Sequence, residues 1–128
     1  MDDRNLVAVA EQAAATSKVR SGGYFAGCTV KSDDGRVFLG CLLEYRNSSL
    51  NQDPIANAIA TARSEGARRI VRVGLYSPTG KELPGIPLST LQRLEEVATL
   101  DLVIIFSSGA GERVARSLKD LLEEASKV

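Results

Sequence analysis

The sequence predicts an α/β domain in which helices layer a sheet. Two observations predict it. Stripes of apolar residues at helical spacing alternate with short runs rich in Val, Ile, Leu and aromatics, in the order α-β-β-α-β-α-β-(β)-α. One of those runs, Leu102 to Phe106, is apolar without a break, the pattern of a strand covered on both faces. A chain of 128 residues can bury one real core and not two, so residues 1–128 are read as a single domain.

Leu6 to Val19 reads as the first helix, with Leu6, Val9, Ala10, Ala13 and Ala14 on one stripe. Arg20-Ser21-Gly22-Gly23 breaks it. Tyr24 to Lys31 and Arg36 to Tyr45 read as two strands, and Ser32-Asp33-Asp34-Gly35 between them is a tight-turn signal, so the pair is a predicted hairpin. Arg46 to Gln52 is polar and reads as a loop. Asp53 is a good N-cap, and Pro54 suits the first helical position, where its missing N–H costs nothing. Ile55, Ile59 and Ala62 form the apolar stripe of this second helix, its alanines allow close packing, and Gly66 stops it.

Arg69 to Tyr76 is the third strand, carrying Ile70, Val71, Val73 and Leu75, and Pro78-Thr79-Gly80-Lys81 is a turn. Leu88 to Ala98 is the third helix, with Leu88, Leu91, Leu94 and Val97 on one face and Ser89 and Gln92 placed for a capping box. After the strand at Leu102 to Phe106 comes a small-residue loop, Ser107 to Gly111. Glu112 to Arg116 reads as a short edge strand and Ser117 to Lys127 as a terminal helix. No internal repeat, low-complexity tract or linker interrupts this order.

Composition excludes several functions. Apolar residues make up 44% and charged residues 25%, ordinary for a globular protein. Lys plus Arg and Asp plus Glu number 16 each, so no global field favours nucleic acid or an anionic membrane, and the apolar runs are too short to span a bilayer. The start, Met1-Asp2-Asp3-Arg4, lacks the layout of a signal peptide, so a cytoplasmic location is expected. With no histidine the chain lacks the commonest general base and the commonest metal ligand, and a Ser-His-Asp arrangement is impossible. Its two cysteines, Cys28 and Cys41, have no CxxC spacing and build no conventional structural zinc site. They are read as buried thiols.

The joint spacing of several short motifs carries more. Gly27, Asp34-Gly35, Gly40 and Glu44 fall in order along the hairpin. Ala58, Ala62 and Ser64-Glu65-Gly66 mark the second helix. Gln92-x-Leu94-x-Glu96 is followed by Asp101 to Phe106. On these residues the chain resembles the small, homotetrameric cytidine deaminases, whose patterns VGA, DG, G-x-N-x-E and A-x-x-x-A-x-S-E-G fall at the same spacing over nearly the whole chain. The resemblance implies a three-layer α/β/α sandwich with a mixed five-stranded sheet. It also implies a homo-oligomer, tetramer before dimer, in which neighbouring subunits complete each site.

In that family a Cys at the start of the second helix binds zinc, and a Glu two residues on shuttles protons. Two further Cys come from a P-C-x-x-C-R-Q motif. The metal activates a water that attacks the pyrimidine. Here the Cys position is Asp53, the Glu position is Ile55 and a supporting Arg is Ala56. The second pair falls within Gly85 to Leu91, where no register supplies a cysteine. Ligands and proton shuttle are lost together, so no catalytic residue, metal or cofactor is expected. The resemblance then leaves a vestigial pocket made of Tyr24, Leu42, Glu44, Asp53, Ile55, Ile86, Leu88 and Leu91.

Single residues have plainer readings too. Asp53 as an N-cap needs no metal. Glu44 has lost the Asn that would accompany it on a sugar, since that position is Leu42, and it reads as solvent-facing or locally hydrogen-bonded. Tyr24 or Phe25 could stack on a base or serve as a core aromatic. Arg63, Arg68, Arg69 and Arg72 cluster near a helix end without interleaved aromatics, a weak signal for RNA. Gly109-Ala110-Gly111 lacks the Lys-Ser/Thr of a phosphate loop. The first reading is a catalytically inactive relative, a pseudoenzyme acting as a binding or assembly module. The alternative is a repurposed enzyme or binder of a nucleoside-like or heteroaromatic small molecule. A third is a subunit that completes a complex with a cysteine-bearing relative.

Overall fold

The structure, a computed structural model, describes residues 2–19, 25–78, 85–109 and 112–126. Tyr24, the Gly22-Gly23 break and most of the 78–81 turn lie outside them. The elements are α1 (Asp3–Ala14), β1 (Gly27–Ser32), β2 (Val37–Cys41), a 3-10 turn (Ser48–Leu50), α2 (Pro54–Ser64), β3 (Ile70–Tyr76), α3 (Leu88–Val97), β4 (Val103–Ser107), β5 (Arg113–Ser117) and α4 (Leu118–Ala125). They form a mixed five-stranded sheet of order β2-β1-β3-β4-β5. Only β3 and β4 are parallel, and α3 is the crossover that a parallel pair requires. The fold class, the α/β layering and the edge position of β5 agree with the sequence reading.

Alternation along β1 sets the two faces. Cys28 and Val30 look into a core shared with Ile55, Ala58 and Ile59 of α2, Leu91 and Leu94 of α3, Ile104 and Phe106 of β4 and Leu118 of α4. Gly27 and Thr29 face α1, where the Thr29 hydroxyl donates to the carbonyl of Leu6 at 2.8 Å. Gly27 has no side chain, so the α1 backbone at Ala10 and Ala14 packs directly on the strand. Gly40, paired with Cys28 and so on the opposite face, does the same for the α2 backbone at Pro54 and Ala58. The outer ends are tied as well. Arg72 donates through Nε and Nη2 to both carboxylate oxygens of Asp3, holding the start of α1 to β3. This hydrogen-bonded guanidinium pulls the Asp3 carboxyl below its usual range.

The structure corrects several local readings. α1 begins at Asp3, because the Asp2 carboxylate accepts the N–H of Asn5, and it ends at Ala14 rather than Val19. Beyond it Lys18 pairs with the segment after β2: its N–H donates to Leu42, and Glu44 N–H donates back to its carbonyl. Tertiary pairing thus overrides a good helical propensity. Val7, not Val9, completes the buried stripe. Val71 is exposed on β3. The hairpin strands are shorter than expected, and the 46–52 loop contains a 3-10 turn capped by Asn47. α3 has no capping box: Pro87 occupies the N-cap, no side chain caps it, and Ser89 already lies inside the helix. Leu88 is 51% exposed and does not join its stripe, whereas Thr90 is buried. Cys28 is buried but Cys41 only half so. They leave opposite faces of the hairpin and both are free thiols.

Candidate functional site

Gly27, Cys41, Tyr76 and Ser107 lie side by side in the register and mark one end of the sheet. The carboxyl ends of the parallel strands β3 and β4 open here, the end at which α/β sheets place their ligands. α2 starts beside Gly40, next to this row. The first turn of α3 reaches the same place, where the Thr90 hydroxyl lies near enough to the Asp53 carboxylate to favour its charged form. Two helix N-termini, each carrying partial positive charge, therefore meet around one side chain.

That side chain is Asp53. It caps α2, with Oδ2 accepting the N–H of Ala56 at 3.1 Å, and Pro54 follows at the first helical position as the sequence predicts. The Gly66 stop is also in place, with φ +86. Burial pushes the Asp53 carboxyl above its usual range. The Ala56 N–H, the Thr90 hydroxyl, the Ile55 N–H and the Arg93 charge oppose that push without cancelling it. Beneath it, burial raises the Cys28 thiol, and the Asp53 charge raises it further, so this cysteine is a packed, unreactive thiol.

The sign of the Asp53 effect gives a prediction. A carboxyl held above its unfolded value binds its proton more tightly in the native state. Stability is then lost as pH rises from the ordinary value of 3.8 through the raised one. Asp53→Asn keeps a capping oxygen and removes the charge. The stability of the parent minus that of Asp53→Asn should rise as pH falls through this window. Urea unfolding of both proteins at several pH values measures it, and a difference that moved the other way would reverse the assignment.

The other sequence-predicted residues take different places. Ile55 is wholly buried and Leu91 nearly so, both in the core cluster, and Ile86 packs against it. Leu42 and Glu44 are half-buried on the connection from β2 to α2, which closes through the Leu43–Gln52 bridge. Ile55 and Leu91 thus lie in the core with Ile86 packed against it. Asp53 caps the helix that carries Ile55, Leu42 and Glu44 lie on the connection that leads to that helix, and Leu88 is at the surface. The structure adds residues that sequence reasoning missed. Thr90 joins the two helices. Asn57 Nδ2 donates to the carbonyl of Cys41 at 2.7 Å, tying α2 to the end of β2. Ser77, just past β3, is 2% exposed, and its hydroxyl has no hydrogen-bond partner among the described residues. A polar residue inside the α3 stripe and one ending an apolar strand were the available signals for Thr90 and Ser77. Phe25, Tyr45, Leu50 and Leu88 are exposed large apolar side chains.

Zinc does not fit these residues. Soft thiolates are missing at the positions the resemblance assigns to them, since Asp53 and the stretch from Gly85 to Leu91 supply none, and the Asp53 carboxylate already accepts the Ala56 N–H. Among the described residues, no group of three or more His, Cys, Asp or Glu is placed to hold a metal ion.

A mixed sheet of this order, with helices starting together at the open end of its parallel pair, is the cytidine deaminase fold. Solved structures that share it include the cytidine deaminase from Burkholderia pseudomallei, at TM-score 0.87 and 20% identity over 94% of this chain and 96% of that one. The cytidine deaminase from Mycobacterium leprae matches at 0.80 and 22%, over 95% and 98%. That from Mycobacterium tuberculosis matches at 0.73 and 24%, over 95% and 94%. At these identities the likeness is one of fold. No protein-family model matches the chain, and no curated protein matches it in sequence. Among the described residues, no helix is long and apolar enough to cross a membrane.

Proposed function

We propose that this chain is a catalytically inactive protein on the cytidine deaminase fold, serving as a binding or assembly module. The observation that carries the reading is Ile55. At the position where the resemblance expects a proton-shuttling Glu, an isoleucine is 0% exposed and part of the core. A proton shuttle must reach both solvent-derived water and substrate, and a packed hydrocarbon does neither. Purified protein should carry no stoichiometric zinc by elemental analysis and release no ammonia from cytidine or deoxycytidine. One tightly held zinc per chain, or measurable ammonia, would overturn the reading. Self-association as a tetramer or dimer belongs to it. Sedimentation analysis reads the state directly.

A second reading, a binder of a nucleoside-like or heteroaromatic molecule, draws on Ser77. A buried hydroxyl without a partner costs about 1–3 kcal/mol. A ligand with a polar ring edge that reached Ser77 would supply the missing hydrogen bond. A thermal-shift screen with nucleosides and heterocycles separates the two readings. A ligand that raises the melting temperature of the parent but not of Ser77→Ala favours this one.

A further inference from the structure

We propose a cleft beside the candidate site, sharing Ile86 and Leu91 with it but not Asp53, that takes a small monocarboxylate with an apolar body. It measures about 340 Å³, within the range of small-molecule pockets. Ile86 and Leu91 of the α3 end, Phe106 of β4 and Leu121 of α4 give it hydrocarbon walls, and Arg116 of β5 and Glu124 of α4 supply its charges. Neither Asp53, Glu44 nor Ile55 lines it.

The two charges are paired, Arg116 Nη2 with Glu124 Oε1, and they are not equivalent. The Arg116 side chain is 26% exposed and held on a strand, whereas that of Glu124 is 57% exposed on the last turn of α4. A cationic ligand that claimed Glu124 would leave the less exposed Arg116 side chain without its partner, the costlier of the two losses. An anionic ligand that claims Arg116 only releases Glu124 into water, where it is already half solvated. Guanidinium also matches carboxylate geometry through two parallel N–H donors. Glu124 is therefore the resident stand-in for an external carboxylate, and the hydrocarbon walls receive that ligand's body. A volume of about 340 Å³ limits the body to a short alkyl chain or a single ring.

The full chain is titrated with hexanoate and 3-phenylpropionate, and in parallel with hexan-1-ol and hexylamine, while the methyl resonances of Leu91 and Leu121 are followed. Both carboxylates should shift these methyls saturably, with the alcohol about tenfold weaker and the amine weaker still. Arg116→Gln should weaken carboxylate binding about tenfold. Glu124→Gln, which removes the competitor, should tighten it. Glu123→Gln changes net charge equally on an exposed neighbour outside the cleft, and it should leave binding near that of the parent. Preference for the amine would overturn the proposal, as would a Glu124→Gln effect that equals that of Glu123→Gln or weakens binding. If Arg116→Gln fails to fold, the comparison of the two glutamate variants decides alone.

Discussion

Ile55→Glu is expected to destabilise the protein by on the order of 4 kcal/mol at neutral pH and to restore no deaminase activity. The substitution puts back the side chain that the resemblance assigns to proton transfer, so its failure would be informative. Ile55 is wholly buried against both the sheet and α3. Losing its packed hydrocarbon costs roughly 2–3 kcal/mol, and the new carboxyl must either ionise in a poorly solvated site or take up a proton. Its native pKa would then lie above its unfolded one. The deficit should shrink as the pH is lowered from about 8 to about 5, because protonation removes the buried charge. Ile55→Gln, similar in shape but neutral, should show the packing loss without that pH dependence. Denaturant midpoints for the three proteins separate the two components. If Ile55→Glu were as stable as the parent, position 55 would open onto a solvated pocket. The pseudoenzyme reading would then lose its main support.

How far the sequence foretold this arrangement depends on whether a feature is local. Asp53, Pro54 and Gly66 punctuate α2 as expected because capping, a fixed φ and a left-handed stop act within a few residues. The uninterrupted run at β4 announced a covered strand because burial on both faces leaves no polar alternation. Features set by distant partners were misread or missed. Residues beyond Ala14 look helical in isolation, yet Lys18 is captured by Leu42 and Glu44. Leu88 fits the α3 stripe, but it is half exposed. At the site, Asp53 and Ile55 stood out because their types depart from a known pattern. Thr90 and Ser77 are ordinary residues that matter only through what the fold puts next to them.

Gly40→Ala should be strongly destabilising for so conservative a substitution, at about 3 kcal/mol. In sequence Gly40 was one more matched position, and the reason for glycine is spatial. A methyl group there would collide with the backbone of α2, at the Pro54 carbonyl and the Ala58 N–H. Backbone atoms of a helix cannot swing aside as a flexible side chain can, so α2 as a whole must lift from β2. The lift would stretch the Asn57 bond to the Cys41 carbonyl and displace Asp53 from Thr90, because all of these contacts hang on the first turns of α2. Gly35→Ala provides the contrast. Its φ is +88 but nothing lies within 4 Å of the added methyl, so only backbone strain of about 1 kcal/mol is incurred, and the site is untouched. Urea midpoints should rank Gly40→Ala well below Gly35→Ala. The amide resonances of Ala56 and Asn57 should move in the first variant and stay in place in the second. Equal stabilities with unmoved amides would mean that α2 does not rest on Gly40, and the close approach that delivers Asp53 to the start of α3 would need another cause.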